Sequence, residues 1–295
     1  MRRLIINADD LGMTRGVNRA IFEAYEHGIV TSATLMANAP ASHEAAALAQ
    51  KSLGLSVGCH VVLIGGEPLL PPQNVRSLTR KSAGNGSSFH NALPGFAARA
   101  LAGRLAASEI EAEATAQIQK IQSAGISPSH FDTHKHTHMF PAVLKPLLRA
   151  ARNCGIGALR NPFPPSSPLP AGMLLSTPVL WKRYVQTSFL RPFAAGFRRA
   201  AKEAGLATTD GTFGILATGT LNQKLFQAIV EHIPEGTGEF VCHPGYNDAD
   251  LQSACTRLKE SREQELMILT SPEAKRALAD RGVDLISYRE LLSDR

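Results

Sequence analysis

Short apolar runs alternate with stretches of helical periodicity along most of the chain. The first run, residues 3–7, has the sequence Arg-Leu-Ile-Ile-Asn and predicts a buried strand. Thr14 then predicts the start of a helix whose apolar positions recur at helical spacing, at Val17, Ala20, Ile21 and Ala24. Further strands are predicted over residues 29–36, 55–63, 129–133, 157–160, 239–242 and 284–286. Further helices are predicted over residues 41–51, 142–153, 258–269 and 272–281, and one more opens with a capping box of Ser108 and Glu111.

This alternation of strands and helices determines the predicted fold class. Strand-then-helix order, repeated many times, indicates an α/β fold with a mostly parallel sheet, either closed as a barrel or open. Residues 64–94 hold four glycines and four prolines and predict a long lid loop above the third strand. Residues 161–170 hold five prolines and predict irregular backbone. Because strands continue on both sides of these two stretches, we expect a single domain over residues 1–295.

Composition excludes several classes of protein. Of the 295 residues, 44% are hydrophobic and 19% are charged, which is typical of a globular chain rather than a disordered one. The N-terminal apolar run is too short for a signal peptide, and no apolar stretch approaches the roughly 18 residues of a membrane span. The four cysteines form no CxxC pair, so we expect a reduced, cytoplasmic protein. The motifs GxGxxG, GxSxG and HExxH are absent from the sequence, which weakens dinucleotide, serine-hydrolase and zincin interpretations.

Acidic and imidazole side chains lie at or near the ends of four of the predicted strands. Asp9 and Asp10 come directly after the first strand, His60 ends the apolar run of residues 55–59, and His134 and His243 follow two later strands. The carboxyl ends of parallel strands meet at one edge of a sheet, where α/β proteins form their sites. We therefore expect these side chains to share one site. Adjacent buried carboxylates raise each other's pKa, so we expect a cation beside one of them, with the other acting as a base; a solvated turn is the alternative.

Four histidines lie within nine residues, in the string HFDTHKHTH at residues 130–138. If the strand continues past Asp132, the alternate residues His134, His136 and His138 share one side of it. Such clusters are common at metal sites, and Asp132 is available as a hydrogen-bond acceptor for an imidazole. A surface histidine run without a role is the alternative. The residues alone therefore leave the choice among the three later histidines open.

Several strings of the sequence together resemble a known family. They are NADDLG at residues 7–12, VTSATLMAN at 30–38, GCH at 58–60, HFDTHKHTHMFP at 130–141 and VCHP at 241–244. The chain resembles the YdjC-like (ChbG-type) carbohydrate deacetylases over nearly its whole length, and it looks most like their hopanoid-biosynthesis-associated branch. The resemblance implies an irregular (β/α) TIM-like barrel that removes N-acetyl groups from amino sugars with one divalent metal ion.

The resemblance also implies roles for individual residues. Asp10, His60 and His134 match the metal ligands, and the ion would be zinc, magnesium or another divalent metal. Asp9 matches the catalytic base, and His243 matches a second catalytic or substrate-binding group. One carboxylate and two imidazoles leave coordination positions open for water and a substrate carbonyl. Asp9 would then accept the proton of the attacking water, and His243 would protonate the leaving amine.

Substrate contacts are predicted for two further residues. Arg160 ends a later predicted strand and would hold a substrate oxygen or orient a carboxylate, and His138 is also expected to bind substrate. Lys135 stands where the chitooligosaccharide-acting branch usually has histidine, so the substrate of that branch is not carried over. We expect N-deacetylation of an N-acetylglucosamine-type group on a glycosylated hopanoid lipid. The alternatives are a deacetylase of soluble chitooligosaccharides, another amide or phosphoester hydrolase, and a non-catalytic sugar-binding protein.

Residues 181–206 combine aromatic and basic side chains. Phe189, Phe193 and Phe197 recur at a spacing of four, and Arg198 and Arg199 follow them directly. One interpretation is an outer helix whose phenylalanines enter the core, and the other is a surface that meets lipid headgroups. The net charge of +6 and the pI of about 9.3 agree with either. For partners we expect the sugar or glycolipid substrate, peripheral contact with the inner face of the membrane, a homodimer, and no nucleic acid, because no nucleic-acid-binding module is present in the sequence.

Overall fold

One parallel sheet organises the computed structural model of the chain, which describes residues 1–81, 87–165 and 168–294. The strands are β1 (Arg2–Leu11), β2 (Ser32–Leu35), β3 (Ser56–Val61), β4 (Thr79–Lys81), β5 (Ser87–Phe89), β6 (His130–Thr133), β7 (Ala158–Leu159), β8 (Gly211–Phe213), β9 (Gly236–Cys242) and β10 (Val283–Leu285). Seven of them follow the order β7, β6, β3, β2, β1, β9, β8, and β10 pairs with the start of β1. The β4–β5 pair is separate and antiparallel.

Helices connect the strands of this sheet. They are α1 (Arg15–Glu26), α2 (Ser42–Lys51), α3 (Leu93–Leu101), α4 (Ala107–Ser123), α5 (Pro141–Asn153), α6 (Ala171–Ser176), α7 (Pro178–Ser188), α8 (Pro192–Glu203), α9 (Gln223–Glu231), α10 (Ala249–Ser253), α11 (Glu260–Thr270), α12 (Pro272–Asp280) and α13 (Tyr288–Ser293). Thr14 accepts a hydrogen bond from the Val17 N–H at 3.1 Å, as predicted for the cap of α1. None of the helices in the described ranges is long and apolar enough to cross a bilayer.

The two ends of the sheet approach each other. The Leu159 N–H donates to the Ala207 carbonyl at 2.8 Å, and the Ala207 N–H donates to the Gly157 carbonyl at 2.8 Å, so the edge strand β7 bridges to the segment that leads into β8. The central strand β1 is buried, with Leu4 and Ile6 fully inaccessible, as expected for a parallel strand covered on both faces. The α/β prediction is therefore confirmed, and the parallel sheet curls toward a barrel.

Residues 64–94 are more structured than the predicted lid loop. Their described part contains a short 3₁₀ helix at Pro72–Asn74 and the antiparallel β4–β5 pair. Glu113 of α4 is fully buried and accepts hydrogen bonds from the backbone N–H groups of Leu69 and Leu70 at 2.9 and 3.0 Å. This buried carboxylate ties the base of the excursion to α4, because the two backbone N–H groups supply most of its hydrogen bonds and Gln117 supplies one more. Closure of the excursion over a site stays a prediction.

The predicted helix start at Ser108 is wrong by two residues. α4 begins at Ala107, so Ser108 lies inside the first turn, and the residue at the cap, Ala106, has no side chain able to accept a hydrogen bond. The Ser-x-x-Glu motif is therefore present in the sequence but does not form a capping box. A capping box is present instead at α13, where Ser287 and Glu290 exchange hydrogen bonds.

The aromatic stretch within residues 181–206 is not one helix. α7 ends at Ser188 and α8 begins with Pro192, whose ring favours the first turn of a new helix. The three phenylalanines consequently diverge. Phe197 is buried at 2% exposure and Phe193 packs partly against the core, whereas Phe189 is 77% exposed. The core interpretation therefore holds for Phe197, while Phe189 remains on the surface.

Candidate metal centre and active site

The carboxyl ends of neighbouring strands bring the predicted site residues together. Asp9 and Asp10 lie near the end of β1 and His60 lies in β3, whereas His134 follows β6 and His243 follows β9. In the sheet these strands are adjacent or separated only by β2. Asp9, Asp10 and His60 are at most 2% exposed. The side chains thus meet at one sheet edge, as the parallel topology predicts.

A backbone turn lets both adjacent aspartates enter this site. Neighbours on a regular strand face opposite sides of the sheet. Asp10 instead has a φ of 67°, a left-handed conformation that is uncommon for a residue with a Cβ. Gly12 follows with a φ of 94°, and a Cβ there would lie 3.1 Å from the Cα of Ser42, so this position requires glycine. The Met13 N–H closes the turn by donating to the Asp10 carbonyl at 3.0 Å.

Three potential ligand atoms form a nearly equilateral triangle. Oδ1 of Asp10 lies 3.5 Å from Nε2 of His60 and 3.4 Å from Nδ1 of His134, and the two nitrogens are 3.4 Å apart. A tetrahedral ion with bonds of about 2.1 Å separates its ligands by about 3.4 Å. Oδ1 of Asp10 is also buried and forms no hydrogen bond with any described residue. A cation would compensate this costly unpaired oxygen, so the three residues, called the ligand triangle below, fit a metal ion.

Hydrogen bonds behind the ligand triangle orient its members. Nδ1 of His60 lies 2.6 Å from Oδ1 of Asp132, so a proton on Nδ1 leaves the lone pair of Nε2 facing the triangle. Burial lowers the pKa of His60, but Asp132, Asp9 and Asp10 together raise it to about 9, so a metal ion bound here would displace the Nε2 proton. Burial likewise raises the pKa of Asp10, but the guanidinium of Arg262, with Nη2 2.5 Å from Oδ2, holds that pKa well below its usual range. Asp132 therefore has the acceptor role predicted for it.

Arg160 lies beside the triangle and is surrounded by carboxylates. Its Nη1 and Nη2 donate to the two oxygens of Asp9 at 2.8 and 2.6 Å, its Nε donates to Glu239 at 2.8 Å, and it also pairs with Asp132. Burial raises the pKa of Asp9, but Arg160 lowers it to below its usual range. Burial raises the pKa of Glu239 to about 7, although Arg160 and the hydroxyl of Tyr288 oppose this. Arg160 thus orients carboxylates, which is one of its two predicted roles, and its contact with substrate stays a prediction.

A second group of side chains also has ligand spacing. It consists of Asp9, His60 and Asp132. Here the guanidinium of Arg160 already forms ion pairs with both carboxylates, and the oxygens of Asp9 and Asp132 have hydrogen-bond partners. A metal ion would compete with this buried cation at short range. The ligand triangle, with its unpaired Asp10 oxygen, is therefore the better metal site.

His243 faces both Asp9 and a further carboxylate. Its Nε2 lies 3.9 Å from Oδ2 of Asp9, and its Nδ1 lies 3.9 Å from Oε2 of Glu265. The backbone N–H of His243 donates to the same Oε2 at 2.6 Å. Both distances from the ring nitrogens are longer than a hydrogen bond. The predicted base Asp9 and the predicted acid His243 therefore face each other without a direct hydrogen bond.

The interpretation of His134, His136 and His138 as alternate residues of one strand is wrong. β6 ends one residue before His134, and a short 3₁₀ helix follows in which Lys135 and His136 have left-handed φ values of 57° and 53°. Because of these two backbone conformations, the three imidazole rings do not share one side of the chain. His134 joins the ligand triangle, whereas Nδ1 of His136 is buried without a hydrogen bond to the described part of the chain.

His138 links two strands beneath the site. Its ring is fully buried, with Nδ1 2.7 Å from Oγ1 of Thr133 and Nε2 3.2 Å from the Arg160 carbonyl. Burial and the charge of Arg160 lower the pKa of His138 to about 3, so the ring is neutral at physiological pH. These contacts join the ends of β6 and β7. Binding of substrate by His138 stays a prediction.

Comparisons with known proteins identify the family of the chain. The YdjC-like protein family model matches residues 3–280. The chain belongs to the YdjC-like family. It is similar to proteins named carbohydrate deacetylase from Geobacillus stearothermophilus (33% identity, 98% of each chain) and from Brevibacillus brevis (31% identity, 98% of this chain and 99% of the relative). A crystal structure of a protein from Enterococcus faecalis V583 matches with a TM-score of 0.78 at 28% identity and covers 99% of both chains.

The sequence pattern alone did not assign three charged residues of this YdjC-like protein to the site. For Glu239 an indication was present, because a charged residue stands next to the apolar residues of β9, where a buried strand is expected. Arg262 and Glu265 lie in α11, in a helix with charges at many positions, and nothing in the sequence distinguishes these two from their neighbours. Both are at most 2% exposed and contact Asp10 and His243, respectively.

Proposed function

We propose that this YdjC-like protein is a metal-dependent carbohydrate N-deacetylase that releases acetate from an N-acetylglucosamine-type group. The observation that carries the proposal is the ligand triangle, with its unpaired Asp10 oxygen, beside the ion-paired carboxylate of Asp9. The names of the relatives support a carbohydrate substrate. A non-catalytic sugar-binding protein is disfavoured, because such a protein needs neither the base Asp9 nor the acid His243.

Asp10, His60 and His134 would hold one divalent ion. When bound, such an ion polarises the acetamide carbonyl and makes water more acidic. Two imidazoles favour zinc, manganese, cobalt or iron over magnesium, because imidazole is a softer ligand than a carboxylate or water. The tetrahedral spacing of the ligand atoms supports zinc within this group.

Asp9 and His243 move the protons of the proposed reaction. Asp9 accepts a proton from water as the water oxygen bonds to the acetamide carbon. Because Arg160 holds the pKa of Asp9 below its usual range, the carboxylate is ionised at neutral pH and retains this proton weakly. His243 donates a proton to the nitrogen as the C–N bond breaks, since an amine leaves readily only when protonated. The products are acetate and the free amino sugar.

The proposed substrate is an amino sugar on a glycosylated hopanoid lipid, reached from the cytoplasm at the inner face of the membrane. The motif resemblance to the hopanoid-associated branch supports this choice, and so do exposed apolar and basic side chains between residues 175 and 199. They are Leu175, Val179, Trp181, Lys182, Phe189, Arg198 and Arg199. Residues 133–202 contain eleven Lys or Arg residues and no Asp or Glu. Exposed apolar groups next to positive charge suit an anionic lipid surface, and a homodimer stays a prediction.

Acetate release from an N-acetylglucosaminyl substrate is expected to stop when a chelator removes the ion and to return when zinc is added. The ion supplies the polarisation that the side chains alone lack. Acetate and free amine are quantified together, with phosphoesters and other amides as comparison substrates. Full activity of the metal-free protein would contradict the proposal, and hydrolysis of the comparison substrates without acetate release would favour the alternative hydrolases.

Charge reversal of Arg198 and Arg199 to glutamate is expected to weaken binding to anionic liposomes and to leave deacetylation of a soluble amino-sugar analogue unchanged. Both side chains are exposed, so the variant removes attraction to headgroups without disturbing the site. Liposome sedimentation and acetate release measure the two effects. Arg104 and Lys120, also exposed, provide a matched double reversal. The membrane part of the proposal would be contradicted if the Arg198 and Arg199 variant lost activity on the soluble substrate as strongly as it lost liposome binding. It would also be contradicted if this variant and the Arg104 and Lys120 variant bound liposomes equally well.

A further inference from the structure

Two charged side chains of α11 are buried although the helix lies outside the sheet. Arg262 is 0% exposed and Glu265 is 2% exposed. They are three residues apart, so they project from the same face of the helix, one turn from each other. Buried charges are costly unless each has a specific partner. The partners of Arg262 and Glu265 therefore show what this face of α11 contributes to the candidate site.

Arg262 binds the carboxylate oxygen of Asp10 that faces away from the ligand triangle. Its Nη2 donates to Oδ2 at 2.5 Å, and its Nε donates at 3.0 Å to the carbonyl of Leu258, which lies just before α11, so two contacts fix the guanidinium. With Oδ2 held in this way, Oδ1 points at His60 and His134. The contact also supplies a positive charge to a residue held in a left-handed backbone turn. Arg262 thus sets the direction of a proposed metal ligand.

Glu265 binds the other half of the site. Its Oε2 accepts the backbone N–H of His243 at 2.6 Å and lies 3.9 Å from Nδ1 of the same residue. On the other side of the ring, Nε2 faces Asp9, 3.9 Å away. Glu265 therefore holds the backbone of the proposed acid and places a carboxylate beside its ring.

Close backbone packing connects these two contacts. The Gly245 N–H donates to the Arg262 carbonyl at 3.3 Å. A Cβ on Gly245 would lie 2.9 Å from Cδ of Arg262 and 3.1 Å from Cγ2 of Val17, so only glycine lets the chain after His243 approach α11 so closely. The segment that carries the proposed acid is thus seated on the helix turn that holds the proposed metal ligand.

We infer that Arg262 and Glu265 are a pair of positioning residues, through which one turn of α11 sets the metal ligand Asp10 and the acid His243 relative to each other. Neither touches the reacting atoms, and the inference rests on the proposed function. The two residues act on different partners. Arg262 should therefore govern metal affinity, and Glu265 should govern the rate of the chemical step.

The test measures zinc affinity, by competition with a chromophoric chelator, and kcat and KM for acetate release in the same variants. Arg262→Met, which keeps the length but not the charge, is expected to weaken zinc binding by about 10–100-fold. Arg262→Lys keeps the charge without the planar fork, so a smaller loss is expected at an unchanged melting temperature of the metal-free protein. Glu265→Gln is expected to keep zinc affinity and KM and to lower kcat by about tenfold or more.

Two exposed residues provide matched controls. Arg276→Met in α12 and Glu260→Gln in α11 remove the same charges at the surface and are expected to retain wild-type zinc affinity and kcat. Wild-type zinc affinity in both Arg262 variants would overturn the inference. So would a Glu265→Gln variant whose zinc affinity falls by the same factor as its kcat, because that is the behaviour of a merely structural residue. If Arg262→Met does not fold, the affinity of Arg262→Lys decides. A wild-type protein that binds no zinc or other divalent ion would overturn the proposed function instead.

Discussion

Replacing Asp9 by asparagine is expected to lower kcat for acetate release by about 10²–10⁴-fold while the protein still binds its ion. Asparagine keeps the shape of the side chain but cannot accept the proton of the attacking water. Asp9 is not part of the ligand triangle, and its carboxylate is already paired with Arg160. Metal binding and proton transfer should therefore separate in this variant.

Acetate release and metal content of the purified Asp9→Asn variant test this prediction together. Asp250→Asn, at an exposed position of α10, is the matched control and should retain wild-type kcat. Loss of the ion along with activity would show that the ion binds the alternative group of Asp9, His60 and Asp132. A kcat close to that of the wild type would show that another group is the base.

Replacing His134 by alanine is expected to remove both the ion and the activity, with zinc affinity lower by more than about 100-fold. The variant deletes one of the three atoms that are spaced for a tetrahedral ion. The remaining pair, Asp10 and His60, cannot hold a catalytic ion with comparable strength, since such sites typically use three protein ligands. Zinc titration and acetate release measure the two losses.

His136→Ala is the matched control for this variant, because His136 lies two residues away and outside the ligand triangle. It should retain wild-type zinc affinity. The opposite pattern, with zinc lost from His136→Ala and kept by His134→Ala, would assign the third ligand to His136. The pair of variants therefore decides whether His134 or His136 is the third metal ligand, which the sequence alone leaves open.

The meeting of the site residues could be predicted because it depends on strand order alone. Asp9, Asp10 and His243 come after apolar runs and His60 lies near the end of β3, and parallel strands place such ends at one edge. The cap of α1 at Thr14 was also visible, because its hydrogen bond is local. Both features are predictable because one depends on a repeated pattern of strands and helices and the other on residues close together in the sequence.

The arrangement within the site could not be predicted, because it depends on contacts that are distant in sequence and on backbone torsion. Arg262 reaches Asp10 across 252 positions, and Arg160 reaches Asp9 across 151. The left-handed residues Lys135 and His136 leave no sign in the hydrophobic pattern, yet they decide which histidine faces the ligand triangle. Regular strand geometry gave the wrong result at this point.

The backbone turn at Asp10 connects two sequence neighbours to separate counter-ions on separate elements, Arg160 after β7 and Arg262 in α11. If the proposed function holds, a descendant of this chain that lost only Asp9 would keep the ligand triangle and could bind acetylated sugars without cleaving them. A descendant that lost only Asp10 would keep the base Asp9, still paired with Arg160, but would lack a ligand of the proposed metal ion. Under the proposed roles, loss of catalysis and loss of ion binding are therefore independent evolutionary outcomes, and each needs only a single substitution.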